Sequence, residues 1–215
     1  MIFMSKVKIC GVKRQDDIKY INRYLPEYVG VVFANSRRQV SPENAKALIA
    51  NLDKRVKAVG VFVNEPTERV LEIAHKCKLD VVQVHGDETP EYIYALKKQF
   101  DSYRKKVDVW KAVRVRNKDS VEQIKHYNAD AFVLDAFVEG SYGGAGKTFD
   151  WEVAVEAGKY GRIILAGGLN IKNVHDAIRS VEPTAVDVST GVESDGMKDE
   201  DKIKRFICRV RNYES

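Results

Sequence analysis

Two side chains able to exchange protons with a bound molecule close apolar runs far apart in the chain. Cys10 ends Val7-Lys8-Ile9-Cys10 and is followed by Gly11, and Asp135 ends Ala131-Phe132-Val133-Leu134-Asp135. A thiol and a carboxylate placed in this way can serve as base and acid on two positions of one ligand. The carboxyl ends of parallel strands are where α/β barrels keep such groups. Asp135 does not read as a helix cap, because Gly140, Gly143, Gly144 and Gly146 follow it before any helical pattern begins. Two later glycine turns, Ala166-Gly167-Gly168-Leu169 and Ser189-Thr190-Gly191, let backbone approach an anion closely. Gly167, Gly168, Ser189, Thr190 and Gly191 are therefore candidate phosphate contacts. The stretch Gly143-Gly144-Ala145-Gly146-Lys147-Thr148 ends like a phosphate loop, but five residues separate Gly140 from Gly146 where that motif has four. It reads instead as a mobile loop over the mouth of the site that helps to exclude water.

These groups need a scaffold that gathers strand ends. The runs Val7–Cys10, Val29–Phe33, Ala58–Val63, Val81–Val84, Val109–Val113, Ala131–Leu134, Ile163–Ala166 and Ala185–Val188 are short and rich in Val and Ile. Continuous apolarity marks strands covered on both faces, as in a parallel sheet. Ser41-Pro42-Glu43 and Thr89-Pro90-Glu91 put a capping hydroxyl before a first-turn proline and start two of the intervening helices. Further helices are expected after Asp119-Ser120, Phe149-Asp150-Trp151 and Asn170-Ile171, and Ile203, Phe206, Ile207 and Val210 close the chain at helical spacing. The pattern predicts an α/β fold, a single-domain (β/α)8 TIM barrel of eight parallel strands over residues 1–215, with a phosphate site after strands seven and eight. An open doubly wound sheet carries its glycine turn after the first strand instead. The period of two turns Lys8 and Cys10 inward together, and likewise Gln83, His85, Lys111 and Asp187, predicting a polar layer in which Asp187 pairs with Lys8. Strand ends one and six lie three places apart in such a barrel, so Cys10 and Asp135 would flank a ligand from different sides.

At 215 residues the chain is near the short end for this fold and leaves little for insertions. Its 36 Lys and Arg against 31 Asp and Glu give a formal charge of +5, helpful toward a phosphorylated, carboxylated small molecule and well short of a nucleic-acid binder. The basic stretch Lys97–Lys118 contains an apolar strand and no regular aromatic stacking pattern, so it reads as solvated surface. A noncatalytic RNA-binding module is the alternative from another class. Cys10, Cys77 and Cys208 are too few and too scattered for a disulfide framework or a zinc site, which points to a reducing cytoplasm. Cys77 and Cys208 are expected to be packed on helices. The start, Met1 to Lys8, has no apolar signal core, and no segment reaches the roughly 18 apolar residues of a membrane span.

Taken in order, Val7-Lys8-Ile9-Cys10-Gly11, Val59-Gly60-Val61-Phe62-Val63-Asn64, Val82-Gln83-Val84-His85-Gly86, Gly143 through Trp151, Leu165-Ala166-Gly167-Gly168-Leu169 and Val186 through Glu193 resemble phosphoribosylanthranilate isomerase of tryptophan biosynthesis. The resemblance implies an aldose–ketose isomerase without metal or organic cofactor. Its reaction would be the Amadori rearrangement of N-(5-phosphoribosyl)anthranilate to 1-(2-carboxyphenylamino)-1-deoxyribulose 5-phosphate. It implies Asp135 as general acid at the furanose ring oxygen and Cys10 as general base at ribose C2. Arg38, in Asn35-Ser36-Arg37-Arg38-Gln39-Val40, would face the anthranilate carboxylate, with Arg37 beside it and the proline often found in this loop absent. Lys8, His85 and Asp187 would support the substrate from below. The partner would be this small molecule, neither nucleic acid nor membrane, and the protein a monomer or homodimer. Near neutral pH, desolvation would keep the acid protonated while cations such as Lys8 would lower the thiol. A sister isomerase of histidine biosynthesis would place two aspartates where this chain has Cys10 and Asp135.

Overall fold

The Val- and Ile-rich stretches close on one another into a barrel. In the computed structural model, which describes residues 5–103, 105–115, 117–136 and 151–211, eight parallel strands pair in chain order and the eighth returns to the first. Strands β1 (Lys6–Cys10), β2 (Tyr28–Val32), β3 (Lys57–Phe62), β4 (Val81–Val84), β5 (Asp108–Val115), β6 (Ala131–Ala136), β7 (Ile163–Leu165) and β8 (Ala185–Val188) form the wall. Helices α1 (Gln15–Tyr24), α2 (Pro42–Ala50), α3 (Thr67–Cys77), α4 (Pro90–Phe100), α5 (Lys118–Glu122), α6 (Trp151–Ala157) and α7 (Val174–Val181) alternate with them, and α8 (Glu200–Arg211) follows the last strand. Between β8 and α8 the short strands β9 (Glu193–Ser194) and β10 (Met197–Lys198) make a hairpin, turned at Asp195 and Gly196, both with positive φ.

The two proline starts behave as their residues dictate. Ser41 Oγ accepts from the Asn44 amide at 3.2 Å and Thr89 Oγ1 from the Tyr92 amide at 3.3 Å. Two other starts differ from expectation. Helix α5 is capped by Asn117, whose side chain accepts from the Ser120 amide, so Asp119 and Ser120 lie within its first turn. Helix α7 begins only at Val174, because the Asn170 amide donates to Asn173 Oδ1 at 2.8 Å and ties the preceding segment into a turn. The expected start at Phe149-Asp150 and the glycine loop 139–148 lie outside the described residues.

Strand side chains sort into two cores by their period of two. Val7, Ile9, Val29, Val31, Val82 and Val84 face outward under the helices, against residues such as Ile18, Ile93, Leu96 and Phe206. Fully burying each such side chain contributes about 1.5–3 kcal/mol. Inside the barrel, Tyr28, Val59, Val81, Trp110, Val133 and Ala185 belong to a second cluster, with Tyr28 and Trp110 edge to face at 4.9 Å between ring centroids. Gln83, Asp135 and Asp187 each follow an inward apolar residue by two places, so this apolar plug ends in a polar layer toward the carboxyl ends of the strands.

Lys111 corrects the expected phase of strand five. It alternates with the inward Trp110 and Ala112 and therefore lies outside the barrel, where Nζ donates to Glu88 Oε2 at 2.8 Å and to the Gly86 carbonyl at 2.7 Å. Burial pulls this ammonium below its ordinary value in spite of Glu88. Among the cysteines, Cys77 is buried as expected, but Cys208 is exposed, since the apolar stripe of α8 runs through Ile203, Phe206, Ile207 and Val210 and leaves position 208 off that face. Among the described residues no helix is long and apolar enough to cross a membrane.

Candidate active site

Cys10 ends β1 in direct register with Gly30 of β2. A side chain at position 30 would bring its Cβ within 2.7 Å of the Cys10 sulfur, so the bare glycine is what leaves the thiol room. The chain then turns sharply at Gly11, whose φ of +82° favours glycine and whose missing Cβ leaves space for the stem of Arg38. Two residues below Cys10, Lys8 is fully buried and donates to Asp187 Oδ2 at 2.6 Å and Gln83 Oε1 at 2.9 Å. Burial pulls its ammonium down, but Asp187 and Cys10 outweigh that and hold Lys8 above its ordinary value. The thiol runs against expectation: burial pushes Cys10 up, and the opposing pull of Lys8 and Lys198 does not cancel it.

Asp135, the last but one residue of β6, lies across the barrel mouth and is buried. Its Oδ2 lies 3.4 Å from His85 Nε2, while His85 Nδ1 lies 3.2 Å from Gln83 Nε2. His85 Nε2 and Asp187 Oδ1 are buried with no hydrogen-bond partner among the described residues. A polar chain therefore runs from Asp187 through Lys8, Gln83 and His85 to Asp135, linking the surroundings of the thiol to those of the carboxylate.

Both glycine turns reach the same cavity. Gly167 and Gly168 have φ of +77° and +72°, and the Gly168 carbonyl accepts from the side chains of Asn170 and Asn173 at 3.2 and 3.1 Å. Ser189 donates its hydroxyl to the Cys10 carbonyl at 3.0 Å, fastening the eighth loop to β1. Gly191 serves a different contact from its neighbours: its missing Cβ would meet the Leu169 carbonyl, and the backbone there bridges to Asn170, so this glycine lets the seventh and eighth loops touch. At the far side Arg38 forms a two-pronged pair with Glu193, Nε to Oε1 at 2.7 Å and Nη2 to Oε2 at 3.0 Å. Lys198 donates to the same carboxylate at 2.8 Å. Burial would raise Glu193, but the hydrogen bonds from Arg38 and Lys198 bring it down to about 2.

Together these walls enclose a cavity of about 400 Å³. Of the candidates named from sequence, Cys10, Arg38, His85, Asp135, Gly167, Gly168, Asp187, Ser189 and Thr190 line it. Lys8 lies beneath it, and Gly191 is at the loop contact behind it. Arg38, 13% exposed, is on the wall, whereas Arg37, 59% exposed, does not line the cavity and reaches Glu193 Oε2 at 3.1 Å. Glu193 and Lys198 carried no role in the sequence reading. Their stretch, Glu193-Ser194-Asp195-Gly196-Met197-Lys198, looks like a solvated hairpin, and only its hairpin turn was a readable signal. Among the described residues no group of three or more His, Cys, Asp or Glu could hold a metal ion. A thiol and a carboxylate facing one cavity, with a guanidinium and glycine turns along its wall, are placed to exchange protons at two positions of an anionic molecule.

The chain is similar to known proteins over nearly its whole length. The model of the N-(5'-phosphoribosyl)anthranilate isomerase family matches residues 7–209. The chain is 54% identical over 210 residues, 97% of it and 96% of the relative, to N-(5'-phosphoribosyl)anthranilate isomerase of Acetivibrio thermocellus. It superposes on the crystal structure of phosphoribosyl anthranilate isomerase from Thermotoga maritima with a TM-score of 0.87 at 37% identity, covering 97% of this chain and 100% of the other. A second isomerase structure, in complex with reduced 1-(o-carboxyphenylamino)-1-deoxyribulose 5-phosphate, matches with a TM-score of 0.84 at 36% identity and the same coverage.

Proposed function

The chain belongs to the phosphoribosylanthranilate isomerase family, and from that premise we propose that it rearranges N-(5'-phosphoribosyl)anthranilate to 1-(2-carboxyphenylamino)-1-deoxyribulose 5-phosphate. Asp135 gives a proton to the furanose ring oxygen as the C1–O bond breaks, and the anilino nitrogen supplies the electron pair that makes the iminium. Cys10, as its thiolate, takes the proton from C2, and the C2–H pair moves into a C1=C2 double bond. The resulting enolamine gains a proton at C1 and loses one from its hydroxyl to become the ketone. Every step is proton transfer or electron-pair shift within the substrate, so the reaction as written needs no metal or organic cofactor.

The observation that carries this reading is the placement of a thiol and a carboxylate over one cavity between Arg38 and the two glycine turns. Arg38 receives the anthranilate carboxylate, already aimed by Glu193, as planar guanidinium groups do. Gly167, Gly168, Ser189 and Thr190 form the phosphate end, with Gly191 holding the seventh and eighth loops together behind them. Asp187 Oδ1, buried and unpartnered among the described residues, accepts from a sugar hydroxyl, while Lys8 and His85 support the two proton-transfer groups. Tryptophan biosynthesis in the cytoplasm, by a monomer or homodimer, is the setting this implies.

The test follows the fluorescence of phosphoribosylanthranilate generated in situ. Wild-type protein should abolish it, and Cys10→Ser and Asp135→Asn should each slow its loss by roughly 10²–10⁴-fold, the range for removing a positioned acid or base. Binding of the reduced product analogue should survive in both. Near-normal turnover in either variant removes that residue from the mechanism.

A further inference from the structure

We propose that Gln83 is a positioning residue that locks His85 in the tautomer carrying its proton on Nε2, so that His85 presents a fixed donor to one oxygen of Asp135. The inference deepens the reading of Asp135 as the acid and rests on it for its catalytic consequence.

The argument runs along the polar chain from the charged end. The Lys8 ammonium has donors and no acceptor. The Gln83 atom 2.9 Å from it is therefore the carbonyl oxygen, and the pairing of Lys8 with Asp187 keeps that charge in place. The Gln83 amide nitrogen then faces the ring of His85 at 3.2 Å. An amide NH2 can only donate, so His85 Nδ1 must present its lone pair, and a neutral imidazole has its remaining proton on Nε2. That nitrogen is buried, has no hydrogen-bond partner among the described residues, and lies 3.4 Å from Asp135 Oδ2. The opposite arrangement sets two donors against each other at Nδ1, or turns the Gln83 NH2 toward a buried ammonium. His85 Nε2–H thus faces Oδ2 of Asp135 at 3.4 Å, which leaves the other oxygen of Asp135 to carry the proton that it delivers. Because Lys8 also acts on the Cys10 thiol, one buried cation orients the acid on one wall and touches the base on the other.

Long-range proton–nitrogen correlation NMR of 15N-histidine-labelled protein reads the tautomer directly, with His85 assigned by its loss in His85→Asn. Wild type should show protonated Nε2 and bare Nδ1. In Gln83→Glu the new carboxylate accepts from the ring, so the tautomer should invert to Nδ1–H. The kcat should then fall by at least roughly tenfold with KM nearly unchanged, as when a histidine's orienting partner is altered. In Gln83→Met, a second variant that adds no charge, the two tautomers should mix and kcat should fall between the others. An Nδ1–H ring in wild type, an unchanged tautomer in Gln83→Glu, or an inverted tautomer with undiminished kcat overturns the proposal. Protein with the expected tautomer but no isomerase turnover sinks the functional reading and leaves the positioning intact, so the two failures are told apart.

Discussion

At the scale of single residues, Cys10 must take a proton from carbon although burial holds its thiol above the ordinary value. Only the thiolate can act as base, so the raised value moves the rising limb of the reaction toward alkaline pH. We predict that kcat/KM for phosphoribosylanthranilate climbs from neutral pH through the ordinary thiol range, and that Cys10→Ser removes this limb; a profile already level at neutral pH would contradict it. Cys10 and Asp135 could be picked out of the sequence because each closes an apolar run where a scaffold of this kind needs no polar group. Glu193 could not, because its pairing with Arg38 joins residues 155 positions apart. Nothing near Glu193 in the chain says that an arginine will arrive.

At the scale of elements, register does what residue type alone does not. Gly30 faces Cys10 because β1 and β2 pair Cys10 with Gly30. A methyl group there would meet the sulfur at 2.7 Å and the Cys10 Cα at 3.2 Å. Gly30→Ala is expected to cost about 1–3 kcal/mol of stability, the usual price of overpacking. It should also lower kcat by displacing the thiol; denaturant unfolding and steady-state kinetics check the two together, and a variant equal to wild type in both would mean the thiol has slack. Element existence was readable from Val- and Ile-rich runs and from the Ser-Pro and Thr-Pro starts. Strand phase in Val109-Trp110-Lys111-Ala112-Val113 was not, since both faces are buried and no polar alternation marks the inner one. The start of α1 was equally hidden: Asp17 folds back to accept from the Lys13 and Arg14 amides at 2.9 and 3.0 Å, a cap supplied from inside the helix and not before it.

For the whole molecule, closure depends on β1 meeting β8, where Lys8 stands in register with Asp187 and the two form a buried ion pair. Removing one partner leaves the other charged and buried, so Lys8→Met should destabilise the fold by about 3–5 kcal/mol, measured by denaturant unfolding, and Lys8→Met combined with Asp187→Leu should recover part of that loss. A single variant as stable as wild type would show that water reaches the pair. By itself the chain's pattern determined the number and order of the barrel strands, the closed parallel fold, and the strand ends that carry a thiol, a carboxylate and glycine turns, because these follow from local apolarity and backbone freedom. The tertiary structure alone decided that Lys111 lies outside the barrel and that the Cys10 thiol is raised and not lowered. It also decided that Glu193 aims Arg38, that Gly191 serves a loop contact, and that Gln83 joins the two reactive walls. Those outcomes depend on which distant groups meet in a shared, water-poor interior, where burial and partner distance compete, and no local stretch of sequence carries the result of that competition.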